Sequence, residues 1–422
     1  GFRKDLQYYK FCLYGFLKNL RFFEAFLMLF FLSKGLPYWQ IGLIYTVREV
    51  TRNLLEIPSG IISDSFGRRT SLALSFLLYI GSYLAFFFSG SFAVMLVAMF
   101  LYAVGDAFRT GTHKSMIYSY LQQNEWGSHK AAYYGKTRSW SQAGSAVCSL
   151  AGGALVWYSG SYALIFLVSV LPASLDILLV LPHPKSLEKG SSLKKGKQQN
   201  SFSETFSLLW RQMGRLAFWH NTSLVALHSG FFKTIKDYLQ PVLAGLAISI
   251  PLFSGDTVRR REAFWVGVVY FVIYMLTSTA SSNSGKLARR IKRPVAALSV
   301  TLYAGLGLGI IGGLLAWKEL TVASVFFLVA VFINENIRKP IGVGNLADHT
   351  DEGTWASVLS LESQMASLYA ALMAPLLGLF ADLHGPGFGV AMVGIIALAY
   401  GSIANLLRRV VGRKSGGNRA GR

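Results

Sequence analysis

The stretch Gly60-Ile61-Ile62-Ser63-Asp64-Ser65-Phe66-Gly67-Arg68-Arg69 decides how this chain is read. One long apolar run ends in it and another begins just beyond it. Between them stand two glycines, a carboxylate and two adjacent arginines, too little chain for a domain. Gly60 and Gly67 suit a close approach and a tight turn. Asp64 is placed to cap a helix N-terminus, and Arg68 and Arg69 to hold neighbouring carboxylates. A cationic pair joining two apolar runs also belongs on the cytoplasmic side of a bilayer.

The rest of the chain agrees with a bilayer. Of 422 residues, 53% are hydrophobic and 14% aromatic, and only 14% are charged, against about 25% in a soluble chain. Mean hydropathy is +0.42. Lys and Arg number 41 against 20 Asp and Glu, a net +21. Such a charge would suit nucleic-acid binding only on a soluble module with a basic face, and none is legible. Cys12 and Cys148 provide no disulfide framework. The first apolar stretch carries Lys18, Arg21 and Glu24, unlike the core of a cleavable signal peptide.

Working outward, twelve segments are long enough to cross about 30 Å of hydrocarbon as helices. They cover 12–32, 39–62, 71–89, 92–118, 132–157, 161–181, 216–246, 263–284, 295–316, 320–343, 355–381 and 387–407. A polar, lysine-rich linker at 183–215 separates six spans in 1–182 from six in 216–409, and 410–422 forms a basic tail. The basic residues before span 1 and after spans 2, 6, 8 and 12 share one side if both termini are cytoplasmic. Arg259-Arg260-Arg261 and the acidic loop with Asp348, Asp351 and Glu352 go against that majority.

The halves echo each other. Gly15-Phe16-Leu17-Lys18 matches Gly230-Phe231-Phe232-Lys233. Gly42, Tyr45 and Gly60 align on Gly267, Tyr270 and Gly285. Asp106 and Arg109 in span 4 correspond to Glu335 and Arg338 in span 10, in each case acid-x-x-Arg on one helical face. This is the pattern of a parallel duplication, a common transporter plan.

Charge is distributed unevenly. Spans 3, 9 and 12 have none, and span 6 has only Asp176, whereas span 2 has Arg48, Glu49, Arg52 and Glu56. Each ionised group at the bilayer centre costs about 2.5–3.5 kcal/mol, so four facing lipid would cost roughly 10–14 kcal/mol. They are therefore expected to face protein or water, with the uncharged helices packed outside them. Acid–base pairs such as Asp106/Arg109 could also serve only to pin helices together.

The opening stretch resembles the G-x-x-x-D-x-x-G-R-[RK] loop of the major facilitator superfamily, with every specified position matched. With twelve spans, a duplication and apolar third helices, the resemblance covers essentially the whole chain. It implies an all-α membrane protein of twelve transmembrane helices in two pseudo-symmetric six-helix bundles. It further implies that these bundles rock about a central site lined by spans 1, 4, 7 and 10, and that Gly60, Asp64, Gly67, Arg68 and Arg69 gate the motion. Two other motifs of the family are incomplete. Arg109 stands where a span-4 arginine is often linked to proton coupling, but Gly111 is misplaced. Gly144, Gly152 and Gly153 keep the spacing of the drug-antiporter motif, whose central Gly-Pro is replaced by Cys148 and Ser149.

Cations outnumber anions within the spans, which favours an anionic, zwitterionic or amphipathic solute. Candidate solute contacts are Arg21, Arg48, Arg52, Arg138, Lys233, Lys236 and Arg338, led by Arg21, Arg138 and Lys236. Candidate proton-coupling groups are Glu24, Glu56, Asp106, Arg109, Asp237, Glu335 and Glu362, since buried carboxylates beside arginine can exchange protons. The expected function is secondary active, proton-coupled transport by alternating access. The protein is expected to be a monomer in the plasma membrane (the cytoplasmic, or inner, membrane in a bacterium), with no cofactor, metal or nucleic-acid partner. A multidrug/proton antiporter is the alternative within this class. A transport-like receptor would append a signalling domain, and a membrane-embedded enzyme would cluster its His and Asp; neither pattern is present. His113 and His228 read as packed polar residues. The chain is therefore read as a non-enzyme, and it contains no Walker loop for ATP.

Overall fold

Gly67 is the hinge point of the first helical hairpin: its φ of 100° is a conformation that L side chains rarely adopt, and it closes one helix and opens the next. The structure, a computed structural model, describes residues 3–110, 112–126, 130–182, 216–250, 252–253, 255–290, 294–348 and 355–417. Outside it lie the linker 183–215, Gly111, Lys292, Arg293, Asp351, Glu352 and 418–422. The side chains of Asp64, Lys114, Arg138, Lys286 to Arg290, Asp348 and Arg408 to Lys414 lie outside it too.

The described residues form fifteen helices and no strand: α1 (Leu6–Leu17), α2 (Leu27–Ser33), α3 (Tyr38–Phe66), α4 (Arg68–Phe87), α5 (Phe92–Arg109), α6 (Thr112–Gln123), α7 (Lys130–Ser159), α8 (Leu164–Val180), α9 (Leu216–Ile235), α10 (Leu239–Ser249), α11 (Val258–Arg290), α12 (Pro294–Trp317), α13 (Thr321–Asp348), α14 (Trp355–His384) and α15 (Pro386–Gly417). Seven are long and apolar enough to cross a membrane by length and composition. The charged α3 is not among them although it runs for 29 residues, nor is α7 with 30. Polarity, not length, sets these two apart.

The fifteen helices map onto the twelve expected spans because spans 1, 4 and 7 are each interrupted. The lengths of the apolar runs predict continuous helices there. In span 1 the break has a visible cause. Arg21 Nε donates to the Lys18 carbonyl at 3.2 Å and so competes for the span's own backbone, while Asn19 Nδ2 anchors the break to the Ser141 carbonyl of α7 at 2.5 Å. The freed groups find partners: Phe22 N–H donates to Ser169 Oγ (3.2 Å), and Met28 N–H to Gln240 Oε1 (2.8 Å). Gln240 Nε2 in turn donates to the Glu24 carbonyl at 3.0 Å. Irregular backbone at membrane depth persists only when satisfied in this way.

The chain divides into two compact units, Gly1–Gly196 with Gln240–Ser278, and Lys197–Leu239 with Thr279–Arg422. Within the first, α1 packs on α7, and α4 packs on both α5 and α8. Within the second, α9 packs on α14, and α12 on both α13 and α15. These are the same pairings at equivalent positions of the repeat. The glycines of the incomplete antiporter motif serve close packing in the first unit. A Cβ on Gly144 would lie 2.6 Å from the Phe16 carbonyl oxygen, one on Gly152 2.9 Å from that of Phe22, and one on Gly153 2.8 Å from that of Ala263.

Candidate functional site

The first unit gathers three of the expected site arginines around one expected carboxylate. Asp106 and Arg109 are three residues apart on α5, so both side chains leave the same face, with Arg109 Nη2 2.6 Å from Asp106 Oδ1. Arg52 comes from α3, its Nη1 3.5 Å from Asp106 Oδ2. Arg21 comes from the broken segment between α1 and α2, its Nη2 3.8 Å from Asp106 Oδ1. The break allows Arg21 to reach the centre without the constraint of helical phase. Three guanidiniums thus share one carboxylate, and the group carries surplus positive charge.

Two tyrosines that the sequence reading missed complete the cluster. Tyr79 of α4 donates its hydroxyl to Asp106 Oδ1 at 2.8 Å and accepts from Arg109 Nε at 2.9 Å. Tyr102 of α5 accepts from Arg21 Nη1. The Arg21 guanidinium also lies 5.4 Å from the Tyr79 ring centroid and 5.6 Å from that of Tyr102, within cation–π range. The uncharged span 3, which forms the body of α4, therefore supplies part of the polar centre. A signal existed, since Ser71, Ser75, Tyr79 and Ser82 mark one buried polar face at helical spacing.

Arg48 is engaged elsewhere, 3.2 Å from Glu49 Oε1 and over the Tyr45 ring at 4.6 Å. Glu24 and Arg21 line a small recess with Asn19, Ser145, Cys148, Ser149 and Tyr274. Glu56 is half-buried on α3. At the gating loop, Arg68 is buried and donates to Ser119 Oγ at 2.7 Å, and Arg69 is half-buried. A Cβ on Gly60 would meet no atom within 4 Å, so close approach is not what glycine provides there.

The second unit uses the equivalent residues differently. Glu335 accepts from His228 Nδ1 (2.7 Å) and Ser229 Oγ (2.9 Å). Asn334 Nδ2 donates to the Thr301 carbonyl at 3.0 Å and stands 2.9 Å from His228 Nε2. That pattern makes Nε2 the acceptor and gives Nδ1 the proton that points at Glu335. His228 was read from sequence as a packed polar residue, and its pairing with Glu335 was not legible. Arg338 is fully buried and turned to backbone: it donates to the carbonyls of Leu298 and Leu224, the latter at 2.9 Å, and to Thr301 Oγ1 at 2.9 Å. Lys233 Nζ donates to Ser367 Oγ at 2.8 Å. Lys236 and Asp237 lie in the turn separating α9 from α10, and Glu362 is buried on α14. Among the described residues, no cluster of His, Cys, Asp and Glu could hold a metal ion.

The all-helical repeat, the glycine-hinged loop and a buried ionic centre on interrupted spans define a membrane transport protein. The chain belongs to the Major Facilitator Superfamily, whose family model matches residues 20–347. It is 21% identical over 394 residues to the uncharacterized MFS-type transporter YxaM of Bacillus subtilis (strain 168), covering 92% of this chain and 91% of that protein. Its fold matches the nucleoside transporter NupG in a D323A mutant with a TM-score of 0.74 at 12% identity, over 96% of this chain and 99% of the other. A bacterial homologue of the human lysosomal transporter Spinster matches with a TM-score of 0.68 at 15% identity, over 98% of each chain. Identities this low carry the fold, and the solute must be argued from this chain's own residues.

Proposed function

We propose that the protein is a secondary active transporter that moves a small anionic, zwitterionic or amphipathic solute across the plasma membrane. Alternating access of the two repeat halves, coupled to protons, would drive it. The observation that carries the anionic preference is the arrangement of Arg21, Arg52 and Arg109 around the single carboxylate of Asp106. A guanidinium surplus in a low-dielectric site attracts an anion and orients it through paired N–H donors. Arg21 is best placed to respond, because it lies on irregular backbone, borders the recess beside Glu24 and makes the longest contact with Asp106.

One fold relative named above is a nucleoside transporter, and a fold shared at 12% identity does not choose this chain's solute. The test is direct. Purified protein is screened by thermal shift against a panel of carboxylates, phosphates, nucleosides and peptides, and stabilising compounds are then tested for counterflow in proteoliposomes. The reading expects anions to dominate the hits, Arg21→Gln to abolish their exchange, and an inward-acid pH gradient to change net uptake. Hits confined to cations, or transport indifferent to Arg21→Gln, would overturn it. Net uptake unaffected by the imposed gradient would remove the proton coupling alone.

A further inference from the structure

Asp176 is the charged residue of α8, in a helix otherwise apolar enough to be read as packing. It is fully buried, and neither carboxylate oxygen has a hydrogen-bond partner among the described residues. Asp106 of α5 shows what a satisfied carboxylate looks like in the same unit, with guanidiniums and a tyrosine hydroxyl around it. Asp176 has no such cage.

Its surroundings narrow its role. Helix α8 packs against α1, α4 and α7. From the α1 side come Tyr14, whose buried hydroxyl likewise has no hydrogen-bond partner among the described residues, and Lys18 at the helix end. Lys18 closes α1, which packs directly on α8, and with Arg109 and Arg21 it is one of the cations whose field reaches Asp176. Its Nζ stands 5.6 Å from the Tyr14 ring centroid. The α4 side offers Tyr79, whose hydroxyl is already held between Asp106 and Arg109, and Tyr83. The α7 side offers the buried Cys148 and Ser149. Arg21 and Arg109 are committed to Asp106. A carboxylate so placed has two ways to be neutralised: Lys18 or a proton.

We propose that Asp176 is a proton-binding site of the transport cycle, with Lys18 as its alternative counter-charge. An anionic solute entering beside Arg21 draws the Lys18 ammonium to itself. Asp176 then takes up a proton from a hydronium ion of the aqueous phase, one hydronium O–H bond breaking to leave water as the carboxyl O–H bond forms, while Lys18 stays an ammonium. One negative charge and one proton move together, and release of the solute returns Lys18 and expels the proton. The inference rests on the anion-transport reading above, and its test uses the proton itself as probe, so that the two can fail separately.

Infrared difference spectroscopy of the full chain in lipid nanodiscs, titrated in H2O and D2O, reads protonated carboxyls directly. The wild type is expected to show a titrating carboxyl C=O band with a deuterium shift. Asp176→Asn should lose that band and Asp176→Glu should retain it. Lys18→Gln, by removing the cation that keeps Asp176 ionised, should enlarge the protonated fraction at neutral pH several-fold. If Asp176→Asn does not fold, as its amide band and elution would show, the Asp176→Glu shift in band position and the Lys18→Gln change decide alone. A wild-type protein without the band, a band that survives in Asp176→Asn, or one insensitive to both other variants overturns the proposal.

Discussion

Arg109 Nη2 lies 2.6 Å from Asp106 Oδ1, one turn away on the same helix, whereas Arg338 points to the carbonyls of Leu298 and Leu224 and leaves Glu335 to His228. The repeat has kept the residue types and changed their partners. In the first unit acid and base neutralise each other within a larger cationic cluster. In the second the arginine ties three helices by their backbone, and the acid is held by neutral hydrogen-bond donors.

A pair of conservative substitutions separates the two arrangements. Asp106→Asn leaves three guanidiniums without a counter-charge and should destabilise the protein by about 3–5 kcal/mol, the cost of breaking a buried ion pair from one side. Glu335→Gln keeps an acceptor for Ser229 and removes no cation's partner, so about 1–2 kcal/mol is expected. Thermal unfolding in nanodiscs should therefore rank Asp106→Asn well below Glu335→Gln. Adding Arg109→Gln to Asp106→Asn should restore part of the loss, since the two residues are coupled. Equal melting shifts for the two acids would show that the partners seen here do not govern stability.

The Tyr79 hydroxyl is a second handle on the same centre. Tyr79→Phe removes one donor to Asp106 and one acceptor for Arg109 while preserving ring volume and the cation–π contact with Arg21. A loss of about 1.5–3 kcal/mol is expected, the range for a hydrogen bond to a charged group. Exchange of an anionic hit should then change more in maximal rate than in half-saturation, because Tyr79 positions the ions and is not placed to touch the solute. An unchanged rate would make the hydroxyl purely structural.

How much of this was legible depended on which physical signal each residue carries. The loop 60–69, the apolar run lengths and the repeated Asp106/Arg109 and Glu335/Arg338 spacings are properties of the chain itself, and they led to the family and the fold. The Asp106/Arg109 pair was legible as two charges on one face of span 4, but its clustering with Arg21 and Arg52 was visible only as charges on other spans, because sequence does not state which faces of different helices meet. Tyr79 and Tyr102 were hidden because a tyrosine in an apolar helix looks like packing. The interruptions in spans 1, 4 and 7 were hidden for another reason. Their partners, such as Ser169 and Gln240 for span 1, lie about 150 to 210 residues away, and hydropathy is blind to satisfaction at that range.

Gln240 tests that last point. Its side-chain amide serves both Met28 N–H and the Glu24 carbonyl across the break in span 1. Gln240→Leu keeps similar bulk and abandons both backbone groups, at about 1–3 kcal/mol for the buried Met28 N–H and less for the half-buried Glu24 carbonyl. Hydrogen exchange should accelerate in residues 20–28 with little change in α4 or α5. Uniform acceleration across the first unit would mean that Gln240 supports the whole packing and not the break.

Gly144 and Gly60 provide the sharpest contrast between packing and gating. A Cβ on Gly144 would sit 2.6 Å from the Phe16 carbonyl oxygen, and backbone on two tightly packed helices has little room to yield. Gly144→Ala should therefore cost about 1–3 kcal/mol, as overpacking does. A Cβ on Gly60 meets nothing within 4 Å, and Gly60 is inside α3, where alanine is the better helix former by about 1 kcal/mol. Gly60→Ala should leave the melting temperature unchanged or raise it. If the loop 60–69 gates the transport cycle through a state in which Gly60 is approached closely, the same variant should slow exchange several-fold despite its intact stability. Full exchange activity in Gly60→Ala would remove Gly60 from the gate and leave the hinge at Gly67, where the positive φ independently requires glycine.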